Sequence, residues 1–496
     1  MQKKLAVSLA LIVLLVITLG VIFFRNSSGG FRSTSNSQTK NSVICSDCNV
    51  VFIAYDALQA AHVSHLGYER KTTPVMDAIA GYGTTFQNAF SAAPWTVPSY
   101  MSVFTGLYPT EHKLVNKYTT FTKDSQIIAN LKNLSPQTQT LAQVLKNNGY
   151  VTGGFTGDAG VGSMFGYNQG FDIYTDEKTF GSVENSADHA LAWLKENKDR
   201  KFFLFLHGYD SHGQFQTGEN YQGQFIPQNY KGVYTGATVE QSKLREEGLL
   251  KGAVELSPED VAFWRGMYDS KIYDADTRVG KFLDEFDKLG LNKKTIFVVF
   301  SDHGTELFEH QRIDHGFSLY DELLHVPLIF VVPGMTAGNK VNSQVSTIDI
   351  APTIISLLGL KPDDQFKSQI RGESLVPFLQ GEIGQSKNVF SETDYRDYTH
   401  KRSIRTIDGW KYILTMENNK SELYNINTDP DEKNNLVNSN PSKTTELAEQ
   451  LKKHLLQIGT KIEGPWTIGC LPVYGDQCKL DVEQPKRPSE QIQEYF

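Results

Sequence analysis

Three runs in this chain read NVVFIAYDAL, KFFLFLHGYDSHG and KTIFVVFSDHG, each a near-continuous stretch of β-branched and aromatic residues closing on Asp or His. Apolar runs of this kind suit strands covered on both faces, which requires an α/β fold: a mainly parallel sheet sandwiched by helices. The intervening segments support the alternation. TQTLAQVLKNNGYVT, Thr138–Thr152, reads as helix then strand, and Val261–Gly290 has helical periodicity with a terminal Gly. In open sheets of this type the chemistry gathers beyond the carboxyl ends of the strands. Asp56, Asp210, His212, Asp302 and His303 all fall there, whereas His207 follows its strand immediately and reads as core. Asp and His converging on one edge are metal-ligating types.

The 496 residues allow one large domain plus a smaller one, and 40% hydrophobic with 21% charged residues is a globular composition. A net charge of -8 argues against a nucleic-acid partner. The N-terminus differs in kind. After Lys3 and Lys4, Leu5–Phe24 is uncharged and apolar up to Arg25, long enough to cross a bilayer as a helix. It predicts one transmembrane signal-anchor over residues 1–25, cytoplasmic at its N-terminus, holding an extracytoplasmic catalytic part on the cell membrane. Residues 26–44, rich in Ser, Gly and Asn, read as a disordered tether. The cysteines lie as Cys45 near Cys48 and Cys470 near Cys478; outside the cytoplasm disulfides are expected, in any of three connectivities.

In APWTVPSYMSVFTGLYP, Pro94 and Pro98 bias Ala93 and Val97 to extended conformations. A helix is therefore expected to begin near Ser99, leaving Thr96 in a loop beyond its N-terminus, where unpaired N–H groups favour anions.

From Asn49 to Leu436 the chain resembles the sulfatase family of the alkaline phosphatase superfamily. The resemblance is carried in order by NVVFIAYDAL, TTPVMDAIAGYGTTFQNAFSAAPWTVPSYMSVFTGLYPTEH, FFLFLHGYDSH, IFVVFSDHGTELFEH, SLYDELLHVPLIFVVPG and VSTIDIAPTIISLLGL. RTIDGWKYILTMENNKSELYNINTDPDEKNNL is similar to the family's small C-terminal α+β subdomain. The resemblance implies a catalytic domain over residues 45–385, the subdomain over 386–460 and a Cys-containing tail over 461–496. It also implies a metal-bound, covalent ester-cleaving site with its nucleophile at Thr96.

Several positions depart from the family pattern. Formylglycine is made there from Cys or Ser in C/S-x-P-S-R; here the five positions are Thr96, Val97, Pro98, Ser99 and Tyr100, so no formylglycine is expected. Ala57 replaces a second metal-binding Asp, and the G-K-W-H-type segment falls at TGDAGVG, Thr156–Gly162, without Lys or His. A Thr at the nucleophile position resembles that of metal-dependent phosphodiesterase, phosphoglycerol-transferase and phosphoethanolamine-transferase relatives.

The expected cation ligands are Asp56, Thr96, Asp302 and His303, a set suited to Mn, Mg or Zn more than to Ca. His212 and His315 are candidates for contacting substrate oxygens or protonating the leaving group, and Asp210 and His310 for binding substrate. Asp210 with His212 and His315 could alternatively hold a second metal. The function implied is hydrolysis of phosphate, phosphonate or sulfate esters on an anionic substrate. A transferase, or a catalytically silent module holding an anionic glycan, are the alternatives.

Overall fold

A computed structural model of the chain describes residues 45–115, 119–121, 127–129, 133–157, 160–176, 181–212, 223–382, 384, 386–395, 399–460 and 491–493. The predicted membrane span, the tether, Cys470 and Cys478 lie outside them. Among the described residues no helix is long and apolar enough to cross a membrane.

The strands of the main sheet are β1 (Asn49–Tyr55), β2 (Thr84–Phe90), β3 (Val151–Thr156), β4 (Ile173–Asp176), β5 (Phe202–Gly208), β6 (Thr295–Ser301), β7 (His325–Val331) and β8 (Asn339–Ser346). Their order is β8-β2-β7-β6-β1-β5-β3-β4. β1 pairs in parallel with both β5 and β6, and β7 is the antiparallel member, against β6 and β2. The mixed α/β sheet expected from the apolar runs is therefore present, with β1 at its centre.

Alternation along β1 divides its side chains between two cores. Val50, Phe52 and Ala54 join one cluster with Val97, Met101 and Phe104 of α2 (Thr96–Thr105), which follows α1 (Pro74–Ala80). Val51, Ile53 and Tyr55 join the other cluster, which faces α1 and two later helices. Further along, α3 (Leu141–Asn147) lies on the α2 side, α4 (Val183–Asn197) on the opposite side, and α5 (Thr238–Lys251) leads into the long α6 (Pro258–Lys288). Ile272, Val279, Phe282 and Phe286 of α6 supply much of the second core, while α7 (Ile350–Leu357) completes the first. Phe52 sits edge-on between Phe203 and Phe300, with ring centroids 5.1 and 5.5 Å away. Burying one such ring contributes about 1.5–3 kcal/mol.

Ser182 and Ser257 cap α4 and α6 by accepting N–H bonds from Asn185 and Asp260. α2 departs from the expected start at Ser99. It begins at Thr96, with Pro98 in its first turn, where the missing proline N–H would have had no intrahelical partner. It stops at Gly106, whose φ of 67° is the left-handed C-cap conformation that glycine adopts without cost.

Beyond residue 386, β9 (Val389–Tyr395), β10 (Thr399–Arg405), β11 (Trp410–Thr415) and β12 (Lys420–Asn425) form an antiparallel meander. Leu447, Leu451 and Leu455, one stripe of α8 (Pro441–Gln457), pack on Ile404, Tyr412 and Leu423 of this sheet. The meander is locked to the short helix Asp321–Leu324, just before β7, by buried charge. Lys411 Nζ, fully enclosed, lies 2.7 Å from Asp321 Oδ1 and 2.9 Å from Glu432 Oε1, and Arg405 Nε meets the other Asp321 oxygen at 3.1 Å.

Candidate functional site

Register places the candidate residues. Tyr55 lies opposite both Ser301 of β6 and Gly208 of β5, so Asp56, Asp302 and the loop Tyr209–His212 leave the sheet side by side. α2 brings Thr96, its first residue, onto the same edge. Thr96 Oγ1 lies 3.2 Å from His303 Nε2. Gly160 closes against the other side of Thr96; a Cβ at that position would come within 2.7 Å of Thr96 Cγ2.

Asp56, Asp302 and His303 are fully buried, and each offers a ligand atom within 4.8 Å of the others. The free backbone groups around them fix which atoms point inward. Ala57, held at φ 54°, donates its N–H to Asp302 Oδ1 at 3.1 Å. His207 Nδ1 accepts the Gly157 N–H at 3.4 Å, so the proton on Nε2 is donated to Asp56 Oδ2 at 3.1 Å. His303 Nδ1 faces the Gly304 carbonyl at 2.6 Å and therefore carries the proton. Its Nε2 looks at Asp302 Oδ2, 3.2 Å away, and at Asp56 Oδ1, 3.9 Å away. Three atoms of metal-ligating type thus converge on one enclosed point. Asp302 Oδ2 also has no hydrogen-bond donor among the described residues. Burial, reinforced by the charge of Asp56, drives the Asp302 carboxyl well above the usual carboxylate range. Asp56, Asp302 and His303 fit a divalent cation.

A second cluster adjoins the first, the His303 and His315 ring centroids being 4.4 Å apart. His212 Nε2 and His315 Nε2 are separated by 2.7 Å, so a proton is held between them, and Asp314 Oδ1 lies 3.1 Å from His315 Nε2. Asp314, at φ 88° and buried, also receives Arg245. Thus Asp314, and not Asp210, joins His212 and His315. Asp210 is not brought to either cluster: its oxygens take the Val183 N–H at the start of α4 and the Arg278 guanidinium of α6, contacts that orient helices.

His310 is also turned away. Its Nδ1 meets Glu322 Oε1 at 2.5 Å, its Nε2 donates to the Glu432 carbonyl at 3.0 Å, and its ring stacks on Tyr320, which ties the loop to the C-terminal sheet instead of facing substrate. Cys45 is bonded to Cys48.

Three residues escaped the sequence reading. Asp314 follows no apolar strand run, and Gly160 matters only because α2 lies against it. His207, read as core, is adjacent to Asp56 through the β1–β5 register, a signal that strand order would have supplied. Tyr100, standing where the family has Arg, is buried under the site and donates its hydroxyl to the Tyr55 carbonyl at 2.8 Å.

The family model described as Sulfatase matches residues 48–360, more than half of the chain. The chain belongs to the sulfatase family. A second model, the C-terminal part of N-sulphoglucosamine sulphohydrolase, matches residues 308–461. Among curated relatives, arylsulfatase K of Rattus norvegicus is 22% identical, over 84% of this chain and 79% of the relative. Delta 4,5-hexuronate-2-O-sulfatase of Bacteroides thetaiotaomicron is 24% identical, over 81% and 86% respectively. In fold, the phosphonate monoester hydrolase of Agrobacterium radiobacter superposes with a TM-score of 0.65 at 21% identity, covering 83% of this chain and 96% of the other. This sulfatase-family chain is an ester-hydrolysing enzyme, and divalent metal use is general in the family.

Proposed function

We propose that the chain hydrolyses anionic esters, phosphate or phosphonate esters first, through Thr96 as nucleophile and a divalent cation held by Asp56, Asp302, His303 and Thr96. One observation carries the reading: Thr96 Oγ1 lies 3.2 Å from Nε2 of His303, beside two buried carboxylates. When bound, the cation lowers the pKa of the threonine hydroxyl and screens the charge gathering on the non-bridging oxygens; the oxygen-rich donor set favours Mn, Mg or Zn.

The chain's own residues do the rest. Thr96, having lost its proton to solvent, attacks phosphorus in line, forming the Oγ–P bond as the bond to the alcohol oxygen breaks. That oxygen takes the proton held between His212 and His315. Water then attacks the phosphoryl group, returns a proton to the imidazole pair and frees Thr96. His207 keeps Asp56 aimed inward throughout.

Sulfate esters are the second substrate class, favoured by the sulfatases among the relatives. The apolar run Leu5–Phe24 and the Cys45–Cys48 bond support an anchored, extracytoplasmic enzyme. The experiment is Thr96→Ala and Thr96→Ser, assayed on aryl phosphate, phosphate diester, phosphonate and sulfate esters with added metal. Thr96→Ala should lose several orders of magnitude and Thr96→Ser keep much of the rate, with a phosphoryl-sized adduct on the wild type by intact mass. Wild-type rates in Thr96→Ala would remove Thr96 from the mechanism.

A further inference from the structure

Tyr100 lies one turn after Thr96 on α2, so the two share a face of that helix. Its ring fills a slot on the sheet. Register sets Ala54 of β1 between His207 of β5 and Phe300 of β6, and its single methyl leaves room above the strand. The Tyr100 ring stands there edge-on, its centroid 5.3 Å from that of His207, 5.8 Å from Phe205 and 6.0 Å from Phe300. From that slot the hydroxyl reaches the Tyr55 carbonyl at 2.8 Å, one residue before Asp56. Ser301 Oγ lies 3.0 Å from the same carbonyl, but its one proton is shared with the His303 carbonyl at 2.9 Å, so Tyr100 is the committed side-chain donor. Burial, with the charges of Asp302 and Asp56 adding to it, holds the phenol well above its ordinary range and keeps that proton in place.

We propose that Tyr100 is a positioning residue for ester cleavage: one phenol fixes the first turn of α2, which carries Thr96, against the strand end that carries Asp56. The inference rests on the reading of Thr96 as nucleophile given above. Two links run through the same side chain. The hydroxyl holds the backbone just before Asp56, and the ring walls in His207, whose Nε2 aims Asp56 Oδ2. Threonine is branched at Cβ, so its χ1 is restricted and the place of Thr96 Oγ1 follows that of the helix backbone. A shift of α2 against β1 therefore moves the attacking oxygen relative to the buried carboxylates by the same amount, and Tyr100 is the side chain that resists it.

The test compares Tyr100→Phe with Tyr150→Phe in the full chain, by single-turnover cleavage of the ester that wild type cleaves fastest, at saturating divalent metal. Tyr150 makes the same kind of bond, donating to the Cys48 carbonyl at 2.9 Å, just ahead of β1 and at the opposite end of that strand from Asp56. It therefore measures what losing a buried phenol hydroxyl does away from the site. Tyr100→Phe should slow the single-turnover rate about 10-fold or more, with half-saturation at the same substrate concentration. Its thermal unfolding should stay close to wild type, because the Ser301 hydroxyl remains to the Tyr55 carbonyl. Tyr150→Phe should keep the cleavage rate within about twofold of wild type. A wild-type rate in Tyr100→Phe, a loss confined to half-saturation, or an equal loss of rate in Tyr150→Phe would each overturn the positioning role. The Thr96→Ala outcome is separate. Wild-type turnover in that variant would remove the nucleophile reading, whereas an inactive Thr96→Ala beside a fully active Tyr100→Phe would remove Tyr100 alone.

Discussion

Gly160→Ala inserts one methyl group against Thr96, the proposed nucleophile. The added Cβ would lie 2.7 Å from Thr96 Cγ2 and 2.8 Å from Thr96 Cβ, whereas carbon atoms rest at about 3.5–4.0 Å. Thr96 must therefore retreat by about 0.7–1.3 Å, toward the core that encloses α2. Misplacement of a reacting group by that amount costs about 10²-fold, so kcat/KM should fall about 10- to 100-fold. Stability should fall by up to about 2.6 kcal/mol. Overpacking costs about 1–3 kcal/mol, partly offset by about 0.4–1 kcal/mol from the lower entropy of the unfolded alanine chain. The double variant Gly160→Ala/Thr96→Ser removes Cγ2 but keeps the Cβ contact, so recovery should be partial. Steady-state kinetics on the preferred ester, with metal analysis and thermal unfolding of each variant, supply the measurements. Wild-type kcat/KM in Gly160→Ala at unchanged metal content would show that the position of Thr96 is not what the fold holds tightly.

Asp302→Asn should lose both bound divalent metal and turnover; full metal occupancy by elemental analysis would move the cation elsewhere. His207→Ala removes the donor that aims Asp56, and metal-buffer titration should show affinity about 10- to 100-fold weaker, an unchanged affinity refuting the positioning role. His454, buried and stacked on Phe390, has its pKa pushed down to about 4. Its neutral form is favoured by folding, so the unfolded chain binds more protons between pH 6.5 and about 4, and stability falls as pH drops through that window by up to about 3 kcal/mol. His454→Leu should flatten this loss in denaturant titrations at pH 7 and 4.5; an unaltered slope would place the acid sensitivity in other groups.

What the sequence disclosed and what it withheld follow from range. Asp56 and Asp302 were legible because each ends an apolar run, and parallel register alone sets Tyr55 against Ser301. Thr96 needed the family resemblance, since proline rules pointed to a loop; the first turn of a helix tolerates Pro98 because that N–H has no partner to lose. The placement of Asp210 and His310 away from the two clusters has another origin. Both are strand-end or loop residues of the right chemical type, yet Arg278 and Glu432, their distant partners, engage them from 68 and 122 residues away. Asp314 was invisible because its role depends on a left-handed turn that seats its carboxylate beside His315.

The buried lysine at the seam bears on how such a protein can be rearranged. Lys411 belongs to the meander, Asp321 to the short helix before β7, and removing Lys411 leaves the enclosed Glu432 without its ion-pair partner and Asp321 with Arg405 alone. Breaking a buried pair in this way costs about 3–5 kcal/mol. A chimera that takes its C-terminal sheet from a distant relative inherits that penalty unless residues 321, 411 and 432 travel together. Recombination near residue 386 should therefore yield few soluble offspring, and lineages reconstructed from either half of the chain should share one history.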